Sequence, residues 1–166
     1  LSHYDNATLY NDSIVAQIVK RFQKQDAIVI YVPDHGEECY EENRGFICRN
    51  HSAEIDWPLA HYEFEIPFWI YCSPKYIRNH RDIYRQIRKA KDKRFMTDAL
   101  PHLLLYLAGI ETPTYKEEYN ILSPKYDEMR PRILKNSADY DKLRDAHLEK
   151  IKKEESKKVK KKERRN

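Results

Sequence analysis

The segment AIVIYVPDHGE at residues 27–37 decides the fold of this 166-residue chain. Its first six residues form a continuous apolar run rich in β-branched side chains, which is typical of a strand buried on both faces of a parallel sheet. The run stops at Pro33, and Asp34 and His35 follow directly. In open α/β sheets, ligands bind just beyond the carboxyl ends of the strands. The segment therefore predicts an α/β fold with a candidate site at the end of this strand.

Asp34 and His35 are two metal-ligand types placed side by side on a predicted turn. A carboxylate and an imidazole in this position suit a divalent metal such as zinc, and Gly36 allows the backbone to turn sharply behind them. Two ligands are half of a zinc site, so the others would come from elsewhere in the protein. A simpler interpretation stays open, in which Asp34 caps the following turn and His35 is an ordinary histidine at a strand end.

The charge is distributed unevenly along the chain. Residues 141–166 contain 12 Lys or Arg and 6 Asp or Glu, a net of +6, whereas residues 1–140 contain 19 and 21, a net of −2. This pattern predicts a near-neutral domain over 1–140 and a basic, largely disordered tail over 141–166, which begins as a frayed helix. A solvated tail is the simplest interpretation, and attraction to anionic lipid headgroups or to nucleic acid is the functional alternative.

Few features of the sequence indicate a cellular compartment. No apolar run has the length of a membrane span, and we expect no signal peptide within this sequence. The chain starts at Leu1 rather than at Met, so we expect a fragment of a longer protein. Cys39 and Cys48 flank a short loop that a disulfide would close in an oxidising compartment. Cys72 ends an apolar run and is expected to be a buried thiol.

Hydrophobic periodicity predicts helices that alternate with strands. A long irregular stretch at 36–65 interrupts this pattern, and such loops often carry binding groups. It contains His51 and His61, each of which is more often a surface histidine than a ligand. Thr97 is the expected N-cap and Gly109 the expected left-handed C-cap of one helix. The predicted elements are helices at 5–23, 76–91 and 95–109, strands at 27–33 and 66–72, and a short strand near 121–122.

Four features taken together resemble the C-terminal half of the catalytic domain of phosphoethanolamine transferases. These are membrane enzymes of the alkaline phosphatase and sulfatase superfamily. The resemblance covers residues 4–135 and implies a fold of the alkaline phosphatase and sulfatase type, with a mostly parallel sheet flanked by helices. The features are YDNATLYND at 4–12, VPDHGE at 32–37, His51 sixteen residues before Pro67, and TDALPHLLLYLAGI at 97–110.

The resemblance implies specific roles for four residues. Asp34 and His35 would ligate a catalytic Zn²⁺, Glu37 would lie in the substrate pocket, and His51 would contact the phosphate of phosphoethanolamine or assist proton transfer. A zinc-activated threonine would take phosphoethanolamine from a phospholipid donor and pass it to an acceptor such as lipid A. The parent protein would be anchored in the inner membrane with this domain in the periplasm.

The sequence also departs from the family pattern. The threonine nucleophile and the remaining metal ligands belong to an upstream N-terminal half, so this chain alone is expected to be inactive. Pro33 stands where the family has a small hydroxyl residue, Glu38 where a serine commonly follows, and Ser52 where a glycine follows the family's histidine. None of the chain's four threonines, Thr8, Thr97, Thr112 and Thr114, lies in the sequence context of the family's nucleophile.

Two other classes of function remain open. One is a phosphoglycerol transferase, sulfatase or phosphodiesterase of the same superfamily, and an upstream Cys or Ser that matures to formylglycine would indicate a sulfatase. The other is a non-catalytic basic module that binds nucleic acid or anionic lipid through 76–91 and 141–166, with steeply salt-dependent DNA binding. We expect no nucleic-acid partner, because no loop or sheet platform interleaves aromatic residues with the basic ones.

Overall fold

The computed structural model describes residues 2–48, 54–135 and 137–163. The chain divides into two compact units, one of residues 1–32 and 67–130, the other of residues 33–66 and 131–166. Short 3-10 turns occur at Glu41–Asn43, Thr97–Ala99 and Glu117–Tyr119. The other described elements are, in chain order, α1 (Ser2–Phe22), β1 (Ile28–Tyr31), β2 (Glu38–Cys39), β3 (Phe46–Cys48), α2 (Trp57–Phe64), β4 (Trp69–Cys72), α3 (Pro74–Asn79), α4 (Arg81–Ala90), α5 (Leu100–Ala108), β5 (Ile133–Leu134), β6 (Ala138–Asp139) and α6 (Tyr140–Glu163).

Strands β1 and β4 form an antiparallel pair in the first unit. Ile28 lies opposite Cys72 and Tyr31 lies opposite Trp69, and the two aromatic rings stack with their centroids 5.2 Å apart. All of β1 is half-buried, and among the described strands β4 alone pairs with it. The described strands form three two-stranded antiparallel sheets. The predicted mostly parallel sheet, with β1 buried on both faces, is therefore not found in the described part of the chain.

Ser73 connects the start of β1 to the helix that follows β4. Its hydroxyl donates to the carbonyl of Gln25 (2.6 Å) and accepts from the N–H of Tyr76 (3.0 Å). Its own N–H donates to the carbonyl of Ala27 (3.0 Å), and its side chain is completely buried. Ser73 is therefore the N-cap of α3, and Pro74 lies in the first turn, where a helix does not need its N–H.

The basic segment predicted as one helix at 76–91 forms two helices, α3 and α4. The break lies at His80, whose backbone is not helical (φ −126°, ψ 51°). Asp26 stabilises this junction, because it accepts a hydrogen bond from the Asn79 amide (2.7 Å) and lies 3.4 Å from the His80 imidazole. Asp26 is 53 positions from Asn79 in the chain, so local periodicity could not reveal the break.

The core of the first unit forms around α5. Leu103 is fully buried and clusters with Ala90, Ile121 and Leu122. Ile121 and Leu122 lie in a buried turn, so the predicted short strand at 121–122 is wrong. Asn120 shapes the turn, because its side-chain oxygen accepts the N–H of Leu122 (3.1 Å).

Helix α5 starts later than the predicted helix at 95–109. A 3-10 turn at Thr97–Ala99 precedes it, so the prediction of Thr97 as its N-cap is wrong. Pro101 lies in the first turn of α5, the position that best tolerates a residue without an N–H. Gly109 ends the helix with φ 65° and ψ 29°, which confirms the predicted left-handed C-cap.

Helices α2 and α6 pack together in the second unit. Trp57 of α2 stacks on the imidazoles of His61 (5.4 Å) and His147 (5.2 Å). The hydroxyl of Tyr140 donates to the carboxylate of Glu65, just after α2. These contacts attach the base of α6 to α2. The buried residues of this core are Ala60, Leu134 and Tyr140.

Helix α6 continues to Glu163, whereas the sequence predicted a largely disordered tail over 141–166. Lys and Glu are strong helix formers, and the exposed Lys153–Glu149 pair (3.5 Å) adds a small stabilisation. Every described side chain from Leu148 to Lys158 is exposed. Intrinsic propensity therefore supports this half of the helix more than packing does.

Helix α1 confirms the predicted helix at 5–23, and its apolar stripe is exposed. None of its residues is buried, and Leu9, Ile14 and Ile18 are 69%, 37% and 43% exposed. Such a stripe is the usual packing face of an amphipathic helix. In the part of the chain that is described, no helix combines the length and apolarity required to cross a bilayer.

Candidate metal centre

Asp34 and His35 form a close pair in the loop between β1 and β2. The backbone N–H of His35 donates to Oδ1 of Asp34 (3.2 Å), and Nε2 of His35 lies 3.6 Å from Oδ2 of Asp34. The Asp34 side chain is 86% exposed and that of His35 is 27% exposed. The structure therefore brings the side chains of the two predicted metal ligands together, and solvent reaches the pair mainly at Asp34.

The geometry of His35 suits a metal ligand. Its Nδ1 lies 2.8 Å from the carbonyl oxygen of Gly36. A carbonyl only accepts, so in the neutral ring Nδ1 carries the proton and the lone pair lies on Nε2. Two donors on a tetrahedral zinc are about 3.4 Å apart, given metal–ligand distances of roughly 2.0–2.2 Å. The 3.6 Å between Nε2 of His35 and Oδ2 of Asp34 is close to that value, so this pair fits two of the ligands of a zinc ion.

Gly36 anchors the pair to the end of α2. Its N–H donates to the carbonyl of Glu63 (2.8 Å), and a Cβ at this position would lie 2.2 Å from the carbonyl oxygen of Tyr62. Its φ is outside the left-handed region. Glycine is therefore required here by close backbone approach, not by the sharp turn that the sequence suggested.

The remaining predicted site residues are less well defined. Glu37 is half-buried, and the described contacts assign it no partner. His51 lies outside the described residues. His61 pairs with Glu65 (2.9 Å), in keeping with a structural histidine. Within residues 2–48, 54–135 and 137–163, no set of three or more His, Cys, Asp or Glu side chains is arranged to hold a metal.

A buried ion-pair network lies directly after the candidate ligands, and the sequence analysis gave it no role. Glu38 is completely buried, and its Oε1 lies 2.7 Å from Nε of Arg44. The same guanidinium donates to Oδ2 of Asp56 (2.5 Å), whose Oδ1 accepts the N–H of Leu59 as the N-cap of α2 (3.0 Å). The signal in the sequence was Arg44, the first cation after four glutamates.

The network shifts the pKa values of its carboxyl groups in opposite directions. Burial raises the pKa of Glu38, and the nearby charge of Arg44 only partly opposes this effect. Burial also acts to raise the pKa of Asp56, but the hydrogen bonds from Arg44 and from the N–H of Leu59 hold it below its usual value. Arg44 therefore holds Asp56 firmly in its charged form, whereas it offsets only part of the cost of burying the Glu38 carboxylate.

The cysteines lie in both units. Strands β2 and β3 pair with Glu38 opposite Cys48 and Cys39 opposite Phe46, across a register shift. Cys39 is buried, and the side chain of Cys48 is outside the described ones, so their disulfide stays a prediction. Cys72 is half-buried, and burial raises the pKa of its thiol.

Comparison with known proteins identifies the family. A family model described as Sulfatase matches residues 1–110, which is about two thirds of the chain. The chain belongs to the sulfatase family. The sequence motifs predicted a resemblance to phosphoethanolamine transferases, and the relatives described next confirm it.

Two relatives show how much of the chain is matched. Phosphoethanolamine transferase EptC of Escherichia coli O18:K1:H7 (strain RS218 / NMEC) is 32% identical over 128 residues, which cover 75% of the chain and 21% of the relative. The Kdo(2)-lipid A phosphoethanolamine 7''-transferase of Escherichia coli (strain K12) is 29% identical over 97 residues, 57% of the chain and 16% of the relative.

The structure matches a solved domain from the same group. The C-terminal periplasmic domain of EcEptC from Escherichia coli superposes with a TM-score of 0.66 at 30% identity, over 84% of this chain and 40% of that one. A second crystal structure of that domain is a complex with Zn and gives the same TM-score and identity. The sulfatase-family chain thus spans about a fifth of the length of EptC and 40% of the solved domain.

Proposed function

We propose that this chain is the C-terminal part of the catalytic domain of a zinc-dependent phosphoethanolamine transferase. The enzyme moves phosphoethanolamine from a phospholipid to an acceptor such as lipid A. The observation that carries the proposal is the Asp34–His35 pair, whose donor atoms are spaced for one metal ion in a chain similar to EptC. The parent protein is anchored in the inner membrane, with this domain in the periplasm.

In this proposal, Asp34 and His35 contribute two ligands to the catalytic zinc. When bound, zinc supplies Lewis acidity, which lowers the pKa of a hydroxyl nucleophile and stabilises charge on phosphate oxygens. The proton on Nδ1 of His35, directed at the Gly36 carbonyl, keeps Nε2 available as a ligand. The hydrogen bond from Gly36 to Glu63 holds the loop in place.

Two further residues of this chain belong to the proposed site. Glu37 lies in the substrate pocket, and His51 contacts the phosphate of phosphoethanolamine or assists proton transfer. The threonine nucleophile and the remaining ligands come from an N-terminal half of the same protein. This division fits the described residues, which hold no third ligand beside Asp34 and His35. The 166-residue chain alone is then inactive.

A related activity is the second candidate, because the matching family model is that of sulfatases in general. A phosphoglycerol transferase, a sulfatase or a phosphodiesterase would use the same metal pair with a different substrate pocket. The residue that acts as the upstream nucleophile distinguishes a sulfatase from the transferase.

Head-group release by the full-length parent tests the proposal. Wild type should release phosphoethanolamine from a fluorescent phosphatidylethanolamine, and Asp34→Ala should lower the rate by about 10²–10³ and reduce the bound zinc, since metal stabilisation amounts to several kcal/mol. Asp92→Ala, which removes an exposed carboxylate in the other unit, is the matched control. Full activity in Asp34→Ala would refute the metal assignment, and turnover of a sulfate ester alone would replace the transferase by a sulfatase.

A further inference from the structure

The second half of α6 projects from the core of its own unit. Tyr140 and Leu143 belong to that core, and His147 stacks on Trp57. From Leu148 to Lys158 every described side chain is exposed. The base of the helix is therefore fixed by packing, while the following three turns are available to a partner.

One face of this helix is lined with lysines. Lys142, Lys150, Lys153 and Lys157 are all exposed, and the last three are spaced by three and four residues, which places them on one side of an α-helix. Ala146 occupies the turn that follows Lys142. In the sequence, the spacing continues to Lys160 and Lys161, within a segment of net charge +6. We name Lys142, Lys150, Lys153 and Lys157 the lysine face.

The described acidic side chains neutralise the lysine face only weakly. Lys153 pairs with Glu149 (3.5 Å) and Lys142 with Asp139 (3.4 Å). These lysine side chains are 72% and 84% exposed, and such pairs contribute little free energy in water. Among the described side chains, Lys150 and Lys157 form no ion pair. The face therefore retains most of its charge for an external anion.

We infer that the lysine face binds the anionic phospholipid headgroups of a membrane surface and keeps this domain beside its lipid substrates. Each lysine near an anionic leaflet adds to the free energy of membrane binding. The lysine face presents about one cation per turn along the exposed residues 148–158 of α6. The choice of lipid over nucleic acid rests on the proposed function, whose donor is a phospholipid. It also rests on the helix itself, because residues 148–158 contain neither an aromatic side chain for base stacking nor an arginine.

Vesicle sedimentation with the 166-residue chain tests this inference. The chain should bind vesicles of phosphatidylcholine with one third phosphatidylglycerol at about 0.05 M salt, and should dissociate from them at about 0.5 M, where charges are screened. It should not bind vesicles of phosphatidylcholine alone. The triple variant Lys150→Glu, Lys153→Glu, Lys157→Glu should weaken binding by more than about 100-fold, since each lysine near the surface contributes roughly fivefold.

A second triple variant controls for net charge. Lys24, Lys75 and Lys89 are exposed lysines of the other unit, and their replacement by glutamate lowers the net charge equally. This variant should bind the anionic vesicles within about fivefold of wild type. Equal losses in the two triple variants would overturn the inference, because binding would then depend on overall charge rather than on the lysine face.

Two further outcomes also decide the question. Binding of a DNA duplex as tightly as of the anionic vesicles, in the same salt, would assign the face to nucleic acid and overturn the inference. Vesicle binding needs neither zinc nor the nucleophile, so its loss leaves the transferase proposal intact if the full-length parent still releases phosphoethanolamine in detergent. Conversely, the 166-residue chain could bind vesicles through α6 while the full-length parent releases no phosphoethanolamine. That result would refute the transferase proposal and leave the lipid-binding inference intact.

Discussion

Nε of Arg44 lies 2.7 Å from Oε1 of Glu38, a carboxylate that is completely buried. Nη1 of the same guanidinium donates to Asp56, so one cation lies beside a buried and an exposed acid together. Because Glu38 is three residues after His35 in the chain, this arrangement holds the segment that carries the candidate metal ligands.

Arg44→Met should destabilise the protein by about 2–3 kcal/mol, because it leaves Glu38 buried without a neutralising charge. Urea denaturation measures this change. The control is Arg85→Met, which removes an arginine whose pair with Asp82 is largely exposed and should cost less than about 0.5 kcal/mol. Similar midpoints for the two variants would contradict the argument.

The loss of folding stability caused by Arg44→Met should depend on pH. Burial raises the pKa of Glu38 above its usual 4.5, so its contribution to folding is favourable below that value and is lost as the pH rises through the folded pKa. Removal of Arg44 strengthens this effect. The destabilisation by Arg44→Met should therefore be smaller at about pH 5 than at pH 8, and Glu38→Gln in the same chain should abolish the difference.

Gly36→Ala should destabilise the loop of the candidate site. The new Cβ would lie 2.2 Å from the carbonyl oxygen of Tyr62, and the required backbone shift costs about 1–3 kcal/mol. Gly45→Ala is the matched control, because Gly45 has φ +87° and open space around it, so it adds only backbone strain. In the full-length parent, Gly36→Ala should lower zinc affinity and Gly45→Ala should not; unchanged zinc affinity in Gly36→Ala would show that the close approach does not position the ligands.

The first unit should lose stability in acid through one ion pair. Arg130 binds Asp98 with two hydrogen bonds (2.5 and 2.7 Å), and these hold the pKa of Asp98 below its usual 3.8. A carboxylate with a lowered pKa stabilises the fold above its unfolded pKa, and this contribution is lost as the pH falls through the folded value. Asp98→Asn should flatten the fall in stability below about pH 4, as followed by thermal unfolding. Arg130→Met should flatten it equally, and a profile identical to wild type in either variant would refute the assignment.

The base of α6 should respond to alkaline pH through Tyr140. Burial and the hydrogen bond to Glu65 raise the pKa of Tyr140 from 10.0 to about 12. The folded protein thus favours the neutral phenol, and this stabilisation, present below pH 10, is lost as the pH rises through about 12. Tyr140→Phe should therefore be less stable than wild type at pH 8, with a smaller loss between pH 10 and 12. Unfolding followed by circular dichroism at each pH measures the stability of both proteins. Parallel curves of stability against pH would contradict this prediction.

Local patterns in the sequence predicted the features that depend on neighbouring residues. The helix at 5–23 follows from apolar spacing, the cap at Gly109 from its freedom to adopt a positive φ, and the Asp34–His35 turn from the end of an apolar run. Each of these depends on residues within a few positions of one another. The structure confirms the helix and the cap, and it places Asp34 and His35 together.

The features that sequence reasoning missed depend on distant residues. The break at His80 depends on Asp26, and the turn at 121–122 is stabilised by burial in the core rather than by strand pairing. The partner of Glu38 could not be recognised because a charged residue in an irregular loop is usually solvated. Antiparallel pairing of β1 with β4 was missed because an apolar run specifies burial but not strand direction.

Each compact unit contains one tryptophan. The chain has two tryptophans; Trp69 stacks on Tyr31 in the first unit, and Trp57 lies against His61 and His147 in the second. Under excitation selective for tryptophan, which leaves the 13 tyrosines silent, a Trp57→Phe chain emits only from the first unit, and a Trp69→Phe chain only from the second. The emission of these two single-tryptophan chains therefore reads out each unit separately, so coincident denaturation midpoints would mean that both units melt as one cooperative body.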